Sequence, residues 1–148
     1  MREHGGVNSG AISGGVHVFP VRVYYEDTDA GGVVYYANYL KFAERARTEM
    51  MHLLADGYGE LLADGEIAFA VRRCEADFLA PARLDDLLEV HTTVTDAGGS
   101  SVTAEQVIRH DESDITRLRM RLACVNQAGR PTRIPSALRA ALQTLTPS

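Results

Sequence analysis

The sequence predicts an α+β domain in which a five-stranded antiparallel sheet packs against one long helix. Three observations predict this class. Residues 16–25 are rich in β-branched and aromatic residues, as strands are. Residues 39–55 repeat apolar side chains at helical spacing, and four later stretches alternate apolar and polar side chains. A helix with one apolar stripe and a sheet with one apolar face bury each other, so we expect the helix to lie across the sheet.

The later strands are predicted as consecutive neighbours, separated by turn signals such as Gly98-Gly99. They span residues 67–79, 88–94, 102–110 and 115–126. In the last strand the apolar residues alternate with Arg117, Arg119 and Arg121. The pattern favours a solvated sheet face with Glu105 as a neighbour, and a phosphate site is the alternative for these three arginines. A short C-terminal helix over 136–144 is expected, with Ser136 as its cap, and Asn38 is the cap candidate for the long helix. The exposed edge of such a sheet favours pairing into a dimer.

The first fifteen residues are rich in glycine and lack periodicity, which predicts a flexible N-terminal tail over 1–15 and a single domain over 16–148. His4 and His17, in or beside this tail, are expected to be solvated. Cys74 and Cys124 have neither zinc-ligand spacing nor a disulfide pattern, and we interpret both as buried thiols.

The composition excludes several classes of partner. A formal charge of −5 argues against nucleic acid, which needs an excess of Lys and Arg. The sequence contains no apolar run of the roughly 20 residues that span a bilayer and no signal-peptide pattern, so we expect a cytoplasmic protein without stable membrane insertion. No cofactor and no metal are predicted.

An acidic turn joins the first strand to the long helix. Asp27 and Asp29 are followed by Gly31 and Gly32, which allow the backbone to approach a ligand closely. The helix start supplies unpaired N–H donors and the positive end of its dipole. Such a turn can place a carboxylate beside a carbonyl carbon while N–H groups stabilise the developing oxyanion.

Other interpretations of the turn stay open at this point. An Asp-x-Asp pair binds divalent cations in some proteins, but hard cations need six or more oxygen ligands, and the sequence alone places no further acidic cluster near this turn. The two aspartates also suit a purely structural turn, held by side-chain to backbone hydrogen bonds. No G-x-S-x-G or Ser-His-Asp pattern is present.

The turn and helix together resemble a known family. Residues 24–39 read YYEDTDAGGVVYYANY and residues 42–51 read FAERARTEMM. These stretches, with the later PARLDDLLEV and GRPTRIP, resemble the 4-hydroxybenzoyl-CoA thioesterase family, and within it the Tol-Pal-associated, YbgC-type branch. One position departs from that branch: Tyr36 stands where His is usual, so that Tyr35 and Tyr36 form an aromatic pair closer to the 4-hydroxybenzoyl-CoA branch.

The resemblance implies a hotdog fold, a curved antiparallel sheet wrapped around one long helix. It also implies a homodimer as the minimal unit, often within a homotetramer, with active sites at the dimer interface. Asp29 corresponds to the family's catalytic carboxylate, and the backbone N–H of Tyr36 corresponds to its oxyanion donor.

We therefore expect an acyl-CoA thioesterase that releases a free acid and CoA, with acyl-CoA or an acyl carrier protein as the partner. Asp29 would act as nucleophile or general base. The predicted substrate-binding residues surround the turn or lie on loops whose cations suit CoA phosphates. They are Gly31, Gly32, Val33, Tyr35, Arg83 and Arg133, with Arg130 as a further cation. The alternatives are a non-catalytic acyl-CoA binding module and an enoyl-CoA hydratase, which the absence of His from the motif disfavours.

Overall fold

The computed structural model describes residues 8–147. Six strands form one antiparallel sheet in the order β1-β2-β4-β5-β6-β3. The strands are β1 (Ala11–Ser13), β2 (Val16–Arg22), β3 (Ala68–Phe78), β4 (Leu87–Ala97), β5 (Ser101–His110) and β6 (Ser113–Val125). The helices are α1 (Asn38–Leu54), α2 (Tyr58–Ala63) and α3 (Ser136–Leu145).

The long helix α1 lies across β2, β4 and β5, which confirms the α+β class. Its apolar stripe is buried along its length, including Tyr39, Phe42, Ala46 and Met50. The prediction of Asn38 as the helix cap is wrong, since Asn38 is the first helical residue. Its side-chain Nδ2 instead donates a 2.8 Å hydrogen bond to the backbone oxygen of Asp27. Ser136 likewise begins α3 without a side-chain capping bond.

The predicted order of the later strands is wrong for β3. Strands β4, β5 and β6 are consecutive neighbours, but β3 lies at the far edge and, within residues 8–147, pairs only with β6. Tight hairpin turns at residues 98–100 and 111–112 make β4 adjacent to β5 and β5 adjacent to β6. The longer connection between β3 and β4 imposes no such constraint, and the N–H groups of its first residues, Leu79 and Ala80, donate to the carbonyl of Ile115 in β6.

A sixth strand lies within the segment predicted to be a flexible tail. Residues Ala11–Ser13 pair with β2 through a two-residue turn, in which Gly14 and Gly15 adopt left-handed φ angles of 59° and 79°. Ile12 also packs against a core cluster. The tail prediction is therefore wrong for this part, and residues 1–7, with His4, lie outside the described residues.

The N-terminal segment also explains why His17 is buried rather than solvated. The His17 ring is fully buried, its Nε2 lies 2.7 Å from the Ser9 carbonyl oxygen, and it stacks on Phe19. Burial lowers the pKa of His17, partly offset by the Ser9 carbonyl and by nearby Glu49. The prediction that His17 is solvated is wrong, because the N-terminal segment with β1, which was not predicted, covers the His17 side chain.

The two cysteines differ in exposure. Cys124 is buried as predicted, but Cys74 is exposed because β3 is an edge strand that α1 does not cover. The alternation in β6 is confirmed: Leu118, Met120 and Leu122 are buried, whereas the three arginines between and beside them are exposed. No helix within residues 8–147 is long and apolar enough to cross a membrane.

Candidate functional site

The acidic turn is a tight loop that folds back between β2 and α1. Thr28 forms an isolated antiparallel bridge with Val34, and the Asp29 N–H donates 2.8 Å to the Val33 carbonyl oxygen. The Tyr35 N–H then donates 3.0 Å to the Asp27 carbonyl oxygen. These bonds bring the residues after the turn back beside those before it, so the aspartates lie close to the start of α1.

The two aspartates have different environments. Asp27 is buried and its Oδ2 accepts a 2.8 Å bond from the Tyr24 N–H, which makes it part of the loop's internal structure. Asp29 is exposed. Its Oδ1 accepts the N–H groups of Gly31 at 2.8 Å and Val33 at 3.4 Å, while its Oδ2 has no hydrogen-bond partner among the described residues. Asp29 therefore stabilises the turn through Oδ1 and leaves Oδ2 free to accept a further hydrogen bond.

Two backbone N–H groups at the start of α1 are free donors. The first turn is tight, since the N–H groups of Asn38, Tyr39 and Leu40 each bond a carbonyl three residues back. Within residues 8–147 the N–H groups of Tyr36 and Ala37 have no acceptor. They are the orphan donors expected at a helix N-terminus, where the dipole favours negative charge.

The two glycines of the turn have separate roles. Gly32 has a φ of 78°, in the left-handed region that an L side chain rarely adopts. Gly31 needs no such angle, but a Cβ atom there would lie 3.2 Å from Asp29 Oδ1. Gly32 therefore permits the turn, and Gly31 leaves room for the carboxylate.

Aromatic side chains cover the same end of α1. Tyr35 and Tyr36 are both about half exposed, at 48% and 58%, with ring centroids 5.0 Å apart. The Tyr36 ring packs edge-on against Phe78 at the end of β3, with 5.6 Å between centroids. Buried Tyr39 accepts the Ala82 N–H at 3.1 Å and so fixes the adjoining loop. The free amides therefore lie beside an exposed aromatic surface.

The predicted substrate-binding cations lie at opposite ends of the sheet. Arg83 is exposed and forms a backbone bridge with Val33, directly beside the Asp29 turn. Arg133 lies at the β4–β5 hairpin, where the following Ile134 N–H bonds the Gly99 carbonyl oxygen. Strand β4 runs eleven residues between these ends, roughly 35 Å, so one chain cannot bring Arg133 to its own Asp29. Arg130 lies on the neighbouring turn at residues 126–131.

Three further arginines lie near Arg133. A surface cavity of about 490 Å³ is lined by Arg72, Arg73 and Arg121 together with hairpin residues Ser100 and Ser101. A second cavity of similar volume adjoins it and contains Arg133. Within residues 8–147, only Arg73 of these four pairs with a carboxylate, Glu75 at 3.1 Å. The sequence analysis named Arg121 and Arg133 separately but not this cluster, because Arg72 and Arg73 are brought to Arg121 by the unexpected β3–β6 pairing and its bulge.

Known proteins are similar to this chain in sequence and in fold. Residues 31–116, more than half of the chain, match the family model described as the thioesterase superfamily. The chain belongs to the thioesterase superfamily. This thioesterase is 42% identical over 128 residues to the acyl-CoA thioesterase YbgC of Haemophilus influenzae, covering 86% of this chain and 94% of the relative. It is 41% identical over 122 residues to the acyl-CoA thioester hydrolase YbgC of Escherichia coli O6:H1, covering 81% and 90%.

The structural comparison agrees. A probable thioesterase from Bartonella henselae superposes with a TM-score of 0.72 at 37% identity, covering 81% of this chain and 98% of that one. The predicted hotdog fold and YbgC-type resemblance are confirmed, and the protein is a thioester hydrolase. Within the described residues, no three His, Cys, Asp or Glu side chains are grouped as a metal site.

Proposed function

We propose that this thioesterase hydrolyses acyl-CoA to a free acid and CoA, with Asp29 as nucleophile or general base and the Tyr36 N–H as oxyanion donor. The observation that carries the proposal is the pairing of a carboxylate that has one free oxygen with free N–H donors at the start of α1. The relatives named as acyl-CoA thioesterases support the substrate class. The burial of Asp27 within the loop supports Asp29 as the reacting carboxylate.

The chemistry needs a nucleophile at the thioester carbon and stabilisation of the carbonyl oxygen. In the general-base route, Asp29 Oδ2 takes a proton from water, the water oxygen bonds to the carbonyl carbon, and the C–S bond breaks as the CoA sulfur takes the proton. In the nucleophilic route, Oδ2 itself forms the bond to carbon and displaces CoA, and water then hydrolyses the anhydride. In both routes the Tyr36 N–H and the helix dipole stabilise the oxyanion.

The turn and the aromatic pair would position the substrate. Gly31, Gly32 and Val33 border the Asp29 carboxylate, so a thioester bound there would approach the turn closely. The exposed rings of Tyr35 and Tyr36 offer apolar area beside the reacting carbon. Since the proposed contribution of position 36 to catalysis is its N–H, a Tyr in place of the branch's usual His would leave the oxyanion donor in place.

A homodimer would complete the site. Strand β3 is an eleven-residue edge whose residues from Val71 to Phe78 are all exposed, and long exposed edges pair readily. Two copies related by a two-fold axis would pair β3 antiparallel, so the start of one strand would lie near the end of the other. The Arg133 cluster of one copy would then approach the Asp29 turn of its partner.

This arrangement assigns the CoA phosphates to cations from both copies. Arg83 beside the turn and the cluster of Arg72, Arg121 and Arg133 from the second copy would bind them, since guanidinium groups suit phosphate oxygens. The homotetramer, the acyl carrier protein substrate and the cytoplasmic location stay predictions.

The test is CoA release from a panel of aliphatic and aromatic acyl-CoAs, measured with a thiol reagent, alongside calorimetric binding of the same compounds. The proposal expects turnover of at least one class. Saturable acyl-CoA binding without turnover across the panel would contradict it and favour a non-catalytic binding module.

A further inference from the structure

The two free amides at the start of α1 lie in a short span whose ends bond one oxygen atom. The Asp27 carbonyl oxygen accepts the Tyr35 N–H at 3.0 Å and the Asn38 Nδ2 donor at 2.8 Å. A carbonyl oxygen has two lone pairs, so both are used here. Tyr36 and Ala37 lie between these two anchors and cannot move away from Asp27 unless one of the bonds lengthens.

The residue that accepts these bonds is itself fixed. Asp27 is buried, its Oδ2 accepts the Tyr24 N–H at 2.8 Å, and its own N–H donates 3.0 Å to the Tyr24 carbonyl oxygen. Asp29 follows two residues later along the chain. The Asn38 bond therefore joins the backbone just before the Asp29 carboxylate to the backbone just after the free amides.

The Asn38 side chain does not have the usual role of asparagine at a helix start. Asn is common as an N-cap because its side-chain oxygen accepts an N–H of the first turn. In α1 the N-cap position is Ala37, which has no side-chain acceptor, and Asn38 donates back to the turn instead. Within the described residues, no capping side chain therefore competes with the proposed oxyanion for the helix end.

A second connection holds the other side of the turn. The Tyr39 Oη accepts the Ala82 N–H at 3.1 Å, and the Ala82 carbonyl oxygen accepts the Val34 N–H at 2.8 Å. Val34 follows Asp29 along the chain, whereas Asp27 precedes it. Two consecutive residues of α1 therefore hold the two sides of the Asp29 turn.

The two connections differ in what their loss would do to the fold. Tyr39 and Ala82 are buried, so Tyr39→Phe would leave the Ala82 N–H unpaired away from water, which costs stability. Asn38 is half-buried, and without its donor the Asp27 carbonyl would keep the bond from Tyr35. Loss of the Asn38 donor would therefore relax the placement of the turn against the helix at little cost in stability.

We propose that Asn38 is a positioning residue for hydrolysis, whose side-chain bond to the Asp27 carbonyl sets the separation between the Asp29 carboxylate and the Tyr36 N–H. The inference rests on the proposed function, in which these two groups act on the same thioester. Asn38 acts through the backbone and is not itself a reacting group. The separation matters because a displacement of about 1 Å in a reacting group costs up to 10²-fold in rate.

Two variants remove the donor. Asn38→Leu keeps the branched shape of the side chain and favours the helix, and Asn38→Ala removes the side chain beyond Cβ. Each should lower kcat about 5–50-fold, less than the full 10²-fold because the Tyr39 connection limits the displacement. Affinity for an S-alkyl-CoA thioether, which cannot be hydrolysed, and the melting temperature should both stay close to the wild-type values.

Thr28→Val is the matched control. The Thr28 hydroxyl donates 2.7 Å to the Tyr25 carbonyl oxygen, a side-chain to backbone bond of the same loop that does not reach α1. Valine keeps the shape of threonine without the donor. The Thr28→Val enzyme should therefore have a kcat close to that of the wild type.

Amide hydrogen exchange tests the positioning role without substrate. In Asn38→Leu the Tyr35 N–H should exchange faster, by about threefold or more, because the carbonyl that accepts it has lost its second bond. The Asp29 N–H, bonded to the Val33 carbonyl inside the turn, should exchange as in the wild type. If no acyl-CoA is hydrolysed, or if Asp29→Asn keeps its activity, the proposed function fails, and the exchange measurement then decides the inference alone.

Three results would overturn the proposal. One is a wild-type kcat in both Asn38 variants. Another is a fall in kcat that Thr28→Val shares equally, or that accompanies a large fall in melting temperature, since Asn38 would then be structural only. The third is an unchanged exchange rate of the Tyr35 N–H in Asn38→Leu.

Discussion

Substitutions at two neighbouring glycines, Gly31 and Gly32, should separate the stability of the Asp29 turn from the position of the Asp29 carboxylate. Gly32 adopts a φ of 78° with no atom within 4 Å of an added Cβ, so Gly32→Ala adds strain without a clash. A left-handed residue costs about 1–2 kcal/mol when it is not glycine. For a chain of this size that corresponds to a fall of roughly 2–8 °C in melting temperature.

Gly31→Ala should instead lower the rate of hydrolysis while leaving the melting temperature nearly unchanged. Its Cβ would lie 3.2 Å from Asp29 Oδ1, so the carboxylate must move by a few tenths of an ångström and stretch its 2.8 Å bond from the residue 31 N–H. Displacements of about 1 Å in a reacting group cost up to 10²-fold in rate, so we expect a loss of about 3–30-fold in kcat. The melting temperature should change little, because position 31 has no positive φ.

The assay is acyl-CoA hydrolysis and thermal unfolding of both variants beside the wild type. A Gly31→Ala enzyme with full kcat would refute the reasoning, because it would mean that the position of the Asp29 carboxylate does not limit the reaction. An unchanged melting temperature in Gly32→Ala would refute the assigned turn conformation.

Three further predictions concern the amides, the phosphate cluster and His17. Tyr36→Pro removes the proposed oxyanion donor and should lower kcat by about 10²–10³-fold in steady-state kinetics. Ala37→Pro is the control and should retain activity, because the φ angle of Ala37 is already −65°, the value that proline requires. Arg133→Gln should raise KM for acyl-CoA but not for an N-acetylcysteamine thioester, which lacks phosphates, while the exposed Arg119→Gln should change neither. Burial lowers the pKa of folded His17, so its contribution to stability is present above the unfolded pKa of about 6.5 and is lost as pH falls towards the folded value. Melting temperatures at pH 8 and 5 should therefore differ more in the wild type than in His17→Leu, and equal differences would contradict this.

Local periodicity predicted the elements of the fold well, because each pattern reports which face of an element is buried. Helix α1 begins one residue from the predicted start, and the alternation of Leu118, Met120 and Leu122 with arginines appears as predicted. Strand order is a different kind of information. The position of β3 in the sheet depends on how the loop of residues 79–86 crosses from β3 to β4. The residues of that loop do not form a tight turn that would make the two strands neighbours.

The exposure of Cys74 and His17 was predicted wrongly because the sequence did not indicate which strands lie next to each other. Cys74 has the alternation of a buried strand but lies on an edge. His17 looked like part of a tail, yet β1 covers it, and only the left-handed Gly14-Gly15 turn was a local sign of that hairpin.

The candidate site was predictable where it is local in sequence. Asp29, Gly31, Gly32 and Tyr36 lie within one short loop, so a motif captures them together. The sequence could not distinguish Asp27 from Asp29 without the resemblance, because burial of the Asp27 carboxylate depends on how the loop folds back.

The most direct test of the central claim is the rate of Asp29→Asn on the best acyl-CoA of the panel, with acyl-CoA affinity measured in parallel and the exposed Asp64→Asn as control. Loss of a positioned nucleophile or base predicts a fall of about 10²–10⁴ in kcat, with affinity and melting temperature close to those of the wild type. An Asp29→Asn enzyme that retains most of its activity would contradict the assignment of Asp29 as the reacting carboxylate.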